Sequence, residues 1–187
     1  MADELIDILY ENGISSGEIK LKSEAHKIGL WHASTHVWIY TPEGKILIQK
    51  RTPNKDTYPN LWDISVAGHL SAGDTPITAS VREVEEEIGL VISAEALHYL
   101  KTNKNSKQPN SNIIDNEFNN IFICCASFKE NDLKLQADEV AEIRLLSVSD
   151  LEKELKTNYS KYVPHGKEYY EFILKNISSA LSTLNKA

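Results

Sequence analysis

The sequence is poor in cysteine, and its longest apolar stretches are short. Its two cysteines among 187 residues, Cys124 and Cys125, are adjacent, so a disulfide between them would close almost no chain. They lie in the strand-like stretch "IFICCASF", which predicts buried free thiols in a reducing, cytoplasmic compartment. No stretch approaches 18 apolar residues, and the first residues lack the pattern of a secretory signal, so we expect no membrane span and no export.

Positive charge is also in deficit. The chain has 20 lysines and arginines against 27 aspartates and glutamates, a formal net charge of -7. A general nucleic-acid binder needs a basic surface, so that class is not expected. An anionic small molecule could still bind where local basic groups or metal ions reverse the charge.

Length and periodicity predict one domain over 1–187 with a mixed sheet flanked by helices, an α/β or α+β fold. Residues 1–30 are expected to form a hairpin extension, and 165–187 to hold a C-terminal helix. A second hairpin is expected around Pro42–Gly44. Further strands are predicted in "LWDISVAGH", "EFNNIFICCASF" and "AEIRLLSV", an exposed loop at 102–112, and a short helix capped by Ser149 or Asp150.

One helix is crowded with carboxylates. Thr75 is placed to cap it, Pro76 to begin it and Gly89 to end it. Its expected buried face carries the apolar residues at helical spacing, Ile77, Val81, Val84 and Ile88. On a wheel of about 100° per residue, Glu83, Glu86 and Glu87 lie together beside this face, whereas Glu85 points away.

Three convergent carboxylates suit a hard divalent cation such as Mg²⁺. Cations held there could activate water and neutralise a diphosphate. Arg82 is placed to brace Asp74 or the loop before the helix. The alternative is a solvated acidic helix face. Two features argue against it: the glutamates lie beside the expected buried face, and a glycine-containing loop, "GHLSAGD", precedes the helix.

Residues 68–90, "GHLSAGDTPITASVREVEEEIGL", resemble the Nudix box. The matching positions are Gly68, Arg82, Glu83, Val84, Glu86, Glu87, Gly89 and Leu90; Asp74 stands where the box has a glutamate. The resemblance implies a loop-helix-loop in an α/β/α sandwich and the hydrolysis of small-molecule diphosphates with Mg²⁺ or Mn²⁺. It implies that Glu83, Glu86 and Glu87 bind metal, with the Gly68 carbonyl as a further ligand.

The flanking segments are similar to the Nudix branch that includes type I isopentenyl-diphosphate isomerases. The similarity implies a second metal set with three histidines and two acids: His26, His32, His69, Asp115 and Glu117. Histidine and carboxylate together suit Mn²⁺ better than Mg²⁺ alone. By the same resemblance, Arg51 and Lys55 would hold the substrate diphosphate, since bidentate arginine suits phosphate.

Ala67 stands where those isomerases have a catalytic cysteine. Alanine can neither donate nor accept a proton, so the sequence favours hydrolysis over isomerisation. In this hypothesis the catalytic carboxylates are Glu86, Glu87 and Glu117. The isomerase, a non-catalytic diphosphate sensor and an acidic domain without a site stay open as alternatives. The oligomeric state is open too, with a homodimer as one option.

Overall fold

The structure is a computed structural model that describes residues 3–184; the ends of the predicted domain and C-terminal helix, 1–2 and 185–187, lie outside the described residues. The strands, in chain order, are β1 (Leu5–Leu9), β2 (Ser15–Leu21), β3 (His32–Tyr40), β4 (Lys45–Arg51), β5 (Trp62–Asp63), β6 (Val66–His69), β7 (Leu97–Asn110), β8 (Ile113–Cys125) and β9 (Val140–Ser147). The helices are α1 (Lys22–Ile28), α2 (Pro76–Ile88), α3 (Val148–Thr157) and α4 (Lys167–Leu184).

The central sheet is mixed, and β3 lies in its middle. Strand β3 runs parallel to β8 and antiparallel to β4 and β6, while β7, β5 and β9 pair antiparallel with β8, β4 and β4 respectively. Strands β1 and β2 form a separate antiparallel hairpin. The amino-terminal half of β3 therefore lies between β6 and β8, which brings side chains from three strands together there.

Two layers of helices cover the sheet, because its central strands are apolar on both faces. On β3, Val37 and Ile39 pack with Val84 and Ile88 of α2 in one core. The intervening Trp38 packs on the other face, in a core that contains residues of α4 such as Ile173. The predicted α/β/α sandwich with a mixed sheet is confirmed. Within residues 3–184, no helix has the length and hydropathy to cross a membrane.

The prediction of an exposed loop at 102–112 is wrong, because residues 97–110 form the long strand β7. Its side chains alternate between half-buried and exposed, so one face remains polar and the stretch reads as a loop. The single strand predicted in "LWDISVAGH" is also wrong: β5 pairs with β4 and β6 pairs with β3.

Helix α2 has the predicted ends. Thr75 and Thr78 form a reciprocal capping box, and Gly89 ends the helix at φ +68, in the left-handed region. The predicted apolar face is only partly correct, because Ile77 is 44% exposed while Glu83 and Glu87 are buried. The buried face is therefore rotated toward the carboxylates. Helix α3 is capped by Ser147 rather than by Ser149 or Asp150, because its hydroxyl accepts a hydrogen bond from the Asp150 amide.

Candidate metal and substrate site

Three strands and one helix bring imidazoles and a carboxylate together at the amino-terminal end of β3. His32 on β3 lies opposite Glu117 on β8, and Ser34 on β3 lies opposite His69 on β6. Glu117 Oε1 lies 3.6 Å from His32 Nε2 and 3.2 Å from His69 Nε2. Helix α1, which was not predicted from the sequence, adds His26, whose Nε2 lies 3.2 Å from His32 Nε2.

The fifth residue of this predicted set, Asp115, lies beside the cluster. Its Oδ1 is 3.8 Å from His26 Nε2. Ligand atoms of the other four residues all lie within 4.8 Å of one another. The five side chains that the sequence placed in one set therefore meet in space, although they come from four different elements. We call His26, His32, His69, Asp115 and Glu117 the histidine–acid cluster.

Several atoms of the cluster fit a divalent cation. His32 Nδ1 lies 2.9 Å from the Leu30 carbonyl oxygen, to which it donates, so Nε2 is the ring nitrogen that faces the cluster and carries the lone pair in the neutral ring. Burial, followed by the nearby His69 and His32, lowers the pKa of His26 to about 3, so this ring is in the neutral form that metals bind.

Two further cluster atoms are buried without a hydrogen-bond partner in the described structure: His69 Nε2 and Asp115 Oδ1. His69 Nε2 lies near Glu117 but not in hydrogen-bonding geometry. Ser34 and Asn119 donate to Glu117 Oε2, at 3.3 and 2.5 Å, which leaves Oε1 for the cluster. These unpartnered nitrogen and oxygen atoms, with a carboxylate oriented by its neighbours, match a metal site of mixed nitrogen and oxygen ligands.

The acidic helix supplies a second group of carboxylates to the same cavity. Glu83 and Glu87 are buried, whereas Glu86 is exposed at the rim and Glu85 points to solvent. Burial raises the pKa of Glu83 to about 7, although the neighbouring Arg82 opposes the shift. Burial and then the nearby Glu83 raise the pKa of Glu87 to about 8. A cation between them would relieve the cost of burying their charges.

Arg82 ties this group together. Its Nη1 donates to Glu83 at 2.7 Å and to Glu86 at 3.1 Å, and its Nη2 lies 3.1 Å from Asp74 Oδ2. Aspartate at position 74 therefore reaches the arginine, although it is one methylene shorter than glutamate. Gly68 packs directly on Glu83, since a Cβ added at Gly68 would overlap the carboxyl group.

The basic residues predicted to hold phosphate, Arg51 and Lys55, line the same cavity, which has a volume of about 310 Å³. Arg51 Nη1 donates to Asp63 Oδ2 at 3.1 Å, and its Nε donates to the Thr57 carbonyl at 3.0 Å. The Lys55 ammonium contacts Glu139. Both cations share this cavity with the histidine–acid cluster and the helix carboxylates.

Four residues next to this site were not predicted from the sequence. They are His36 on β3, Asp63 on β5, His165 before α4, and Tyr169 on α4, which hydrogen-bonds to His36. Their contacts join distant parts of the chain, such as His165 Nε2 to Asp63 Oδ1 at 2.7 Å. His36 could have been found, because it follows His32 and Ser34 at the strand spacing of two. His165 follows Pro164 outside any periodic stretch and carries no such signal.

The cysteines lie away from this cavity. Ala67 is opposite His36 in the sheet, whereas Cys124 and Cys125 are opposite Ile39 and Tyr40, farther along β3. Cys124 is buried in the core beneath α2, and Cys125 is half-buried. Neither thiol is positioned to replace a reactive group at position 67.

Known proteins are similar to this chain in sequence. The NUDIX domain family matches residues 30–166, and the chain belongs to the Nudix family. An Arabidopsis thaliana protein named Nudix hydrolase 3 is 32% identical over 169 residues, 88% of this chain but 22% of that protein. An uncharacterized Nudix hydrolase from Clostridium acetobutylicum is 30% identical, with 94% of this chain and 97% of the relative covered.

Isomerases and proteins of known structure are also similar to this chain. An isopentenyl-diphosphate Delta-isomerase from Streptomyces avermitilis is 25% identical over 163 residues, covering 84% of this chain and 79% of the isomerase. A crystal structure of a Deinococcus radiodurans protein superposes with a TM-score of 0.62 at 21% identity, covering 83% of this chain and 90% of that one. This last similarity shows the fold alone.

Proposed function

We propose that the protein is a divalent-metal-dependent hydrolase of small-molecule diphosphates, working in the cytoplasm as a single Nudix domain over 1–187. The observation that carries the proposal is one cavity lined by residues of the histidine–acid cluster, by the helix carboxylates and by the cations Arg51 and Lys55. Groups of both kinds are needed to bind metal and phosphate together. The substrate is a nucleoside diphosphate derivative or another organic diphosphate.

The residues divide into three roles. The histidine–acid cluster would hold Mn²⁺ or a similar ion, and Gly68, Glu83, Glu86 and Glu87 would hold Mg²⁺ or Mn²⁺. A divalent cation, when bound, would neutralise negative charge on the phosphoryl oxygens and lower the pKa of a bound water. Arg51 and Lys55 orient the phosphate oxygens.

Proton transfer belongs to the carboxylates Glu86, Glu87 or Glu117. Hydrolysis requires that one of them accept a proton from the attacking water. Glu86 is exposed at the rim, so a proton taken there can pass to solvent. Glu87 and Glu117 are buried and hydrogen-bonded by Gln49 and Asn119, which hold them in place beside the cavity.

A phosphorus NMR screen tests the proposal. Purified protein with Mg²⁺ or Mn²⁺ should release phosphate or a monophosphate from at least one member of a diphosphate panel. The variant Glu87→Gln should lose most of this activity, whereas the matched control Glu85→Gln should keep it, because Glu85 points to solvent. No turnover of any substrate with either metal, or a Glu87→Gln variant as active as the control, would contradict the proposal.

An isomerase is the second candidate. It is favoured by the histidine–acid cluster, in which Asp115 lies beside four residues with converging ligand atoms, and by the 25% identity to an isopentenyl-diphosphate Delta-isomerase. Ala67 opposes it, because no proton-transferring side chain is present at that position. Incorporation of deuterium from heavy water into isopentenyl diphosphate would support the isomerase and count against hydrolysis as the main activity.

A further inference from the structure

His165 and Asp63 form a buried pair to which the proposed function assigns no role. His165 Nε2 lies 2.7 Å from Asp63 Oδ1. The other oxygen of the same carboxylate accepts from Arg51 Nη1 at 3.1 Å. Asp63 is 3% exposed, so one buried carboxylate binds two side chains and holds them side by side.

Asp63 is in the charged form. Burial by itself would raise the pKa of Asp63, but His165 and Arg51 lower it below its ordinary value. The backbone N–H of the next residue, Ile64, also donates to Asp63 Oδ1, at 2.8 Å. Since an ionised carboxylate can only accept, His165 Nε2 carries a proton, and its Nδ1 remains for a ligand.

Both partners of Asp63 face the substrate cavity. Arg51 and His165 line it together with His69 and Glu117 of the histidine–acid cluster. Lys55, by contrast, contacts Glu139 and so is partly neutralised. Lys107 lines the cavity too, but its ammonium donates to the Pro164 carbonyl at 3.0 Å. His165, which comes from the segment before α4, is the group that shares a carboxylate with Arg51.

The neighbouring His36 is unsuited to supply a positive charge. Trp38 Nε1 donates to the Tyr169 hydroxyl oxygen at 3.0 Å, so the hydroxyl proton is directed to His36 Nδ1 at 2.9 Å. Burial, followed by the nearby His165, lowers the pKa of His36 to about 3. His36 is thus a neutral ring 5.2 Å from the His165 ring, and its Nδ1 is occupied by the Tyr169 hydroxyl.

We infer that Arg51 and His165 form a paired cationic subsite for a phosphate group of the substrate, with Asp63 as the positioning residue that aligns them. The inference rests on the proposed function and deepens it, since it names His165 as a phosphate-binding residue. A phosphate opposite Asp63 stabilises the doubly protonated ring, so that Nδ1–H donates to a phosphate oxygen. Ala67, opposite His36 in the sheet, lines the same cavity.

Inorganic pyrophosphate is the probe, measured by calorimetric titration in the presence of Mn²⁺. His165→Gln should weaken pyrophosphate binding by about tenfold or more, as expected for loss of a charge-assisted hydrogen bond. His165→Lys, which keeps a cation, should recover much of it. The matched control is His98→Gln, on the exposed part of β7, which should bind as the wild type does.

Kinetics with any substrate found in the hydrolysis screen separate binding from chemistry. His165→Gln should raise KM with kcat largely kept. Asp63→Asn should weaken pyrophosphate binding too, and its effect should not add to that of His165→Gln, because both act on one contact. Unchanged pyrophosphate affinity in His165→Gln, or a lower kcat with affinity kept, would overturn the inference.

Two further outcomes remain decisive. If no substrate is hydrolysed but pyrophosphate still binds through His165, the proposed function fails and the subsite stands. If His165→Gln does not fold, imidazole nitrogen NMR of the wild-type protein replaces it. Saturation with pyrophosphate should then move the Nδ1 signal of His165 to an imidazolium position, and an unmoved signal would overturn the subsite.

Discussion

The packing of Gly68 on Glu83 links the strand β6 directly to the acidic helix. A Cβ at position 68 would lie well inside 3.0 Å of the Glu83 carboxyl carbon and of both its oxygens. Glu83 cannot simply swing away, because it is buried and Arg82 holds it at 2.7 Å. The substitution Gly68→Ala should therefore displace a proposed metal ligand and strain the interface between sheet and helix.

The size of the effect follows from this contact. The carboxylate must move by about 1 Å or more to reach an ordinary contact distance of about 3.5 Å. Overpacking of this kind costs about 1–3 kcal/mol in the free energy of unfolding. For a chain of this length the melting temperature should fall by roughly 2–12 °C. A ligand misplaced by about 1 Å should lower kcat on the order of 100-fold.

Thermal unfolding and initial rates at saturating Mn²⁺ measure the two effects separately. The double variant Gly68→Ala/Glu83→Ala removes the group that is struck, so it should recover the stability lost by Gly68→Ala but stay inactive. If Gly68→Ala lowers the melting temperature by the same amount when position 83 is already alanine, the contact with Glu83 is not the cause of the lost stability. A Gly68→Ala protein with wild-type stability and activity would refute the reasoning altogether.

Three further changes test the metal site, the core and the thiols. Glu117→Gln should lower Mn²⁺ affinity by calorimetry more than about tenfold, because it replaces a charged ligand by a neutral amide. Ile173→Ala, fully buried on the α4 side, should lower the free energy of unfolding in urea by about 2–5 kcal/mol while kcat per folded molecule is kept. Ellman's reagent should label Cys125 before Cys124, because burial raises the pKa of the Cys124 thiol to about 11.

Each of these has an outcome that would count against it. The solvent-facing variant Glu85→Gln is the control for Glu117→Gln. If both variants bind Mn²⁺ equally weakly, the lower affinity reflects a general loss of acidic charge and not the loss of a ligand. Inactive but folded Ile173→Ala protein would place α4 closer to the chemistry than its packing indicates. Rapid reaction of two thiols in the native protein would show that the strand carrying Cys124 opens readily.

Short-range patterns in the sequence were enough to predict the local elements that dominate this fold. The helix over residues 76–88 follows from a cap, a proline and a terminal glycine, all of which act within a few residues. The hairpin between β3 and β4 follows from a turn flanked by β-rich stretches. The motif of residues 68–90 likewise lies in one continuous segment, so its carboxylates could be named from spacing.

Predictions failed where a residue's environment is set by distant parts of the chain. Strand β7 is polar on one face, and only its pairing with β8 makes it a strand. Ile77 is exposed and Glu83 buried because α2 lies against β6, where Gly68 leaves room for a carboxylate. Spacing along one helix cannot reveal what packs against it.

The chemistry-bearing residue types were determined by the sequence: the glutamates of α2, the histidines, Arg51, and alanine rather than cysteine at position 67. Tertiary structure decided which of them meet. His26 joins the cluster through a helix that was not predicted, and Asp63 pairs with His165 across 102 positions of the chain. The physical reason is that sheet register and helix packing bring such pairs together, and both are properties of the whole fold.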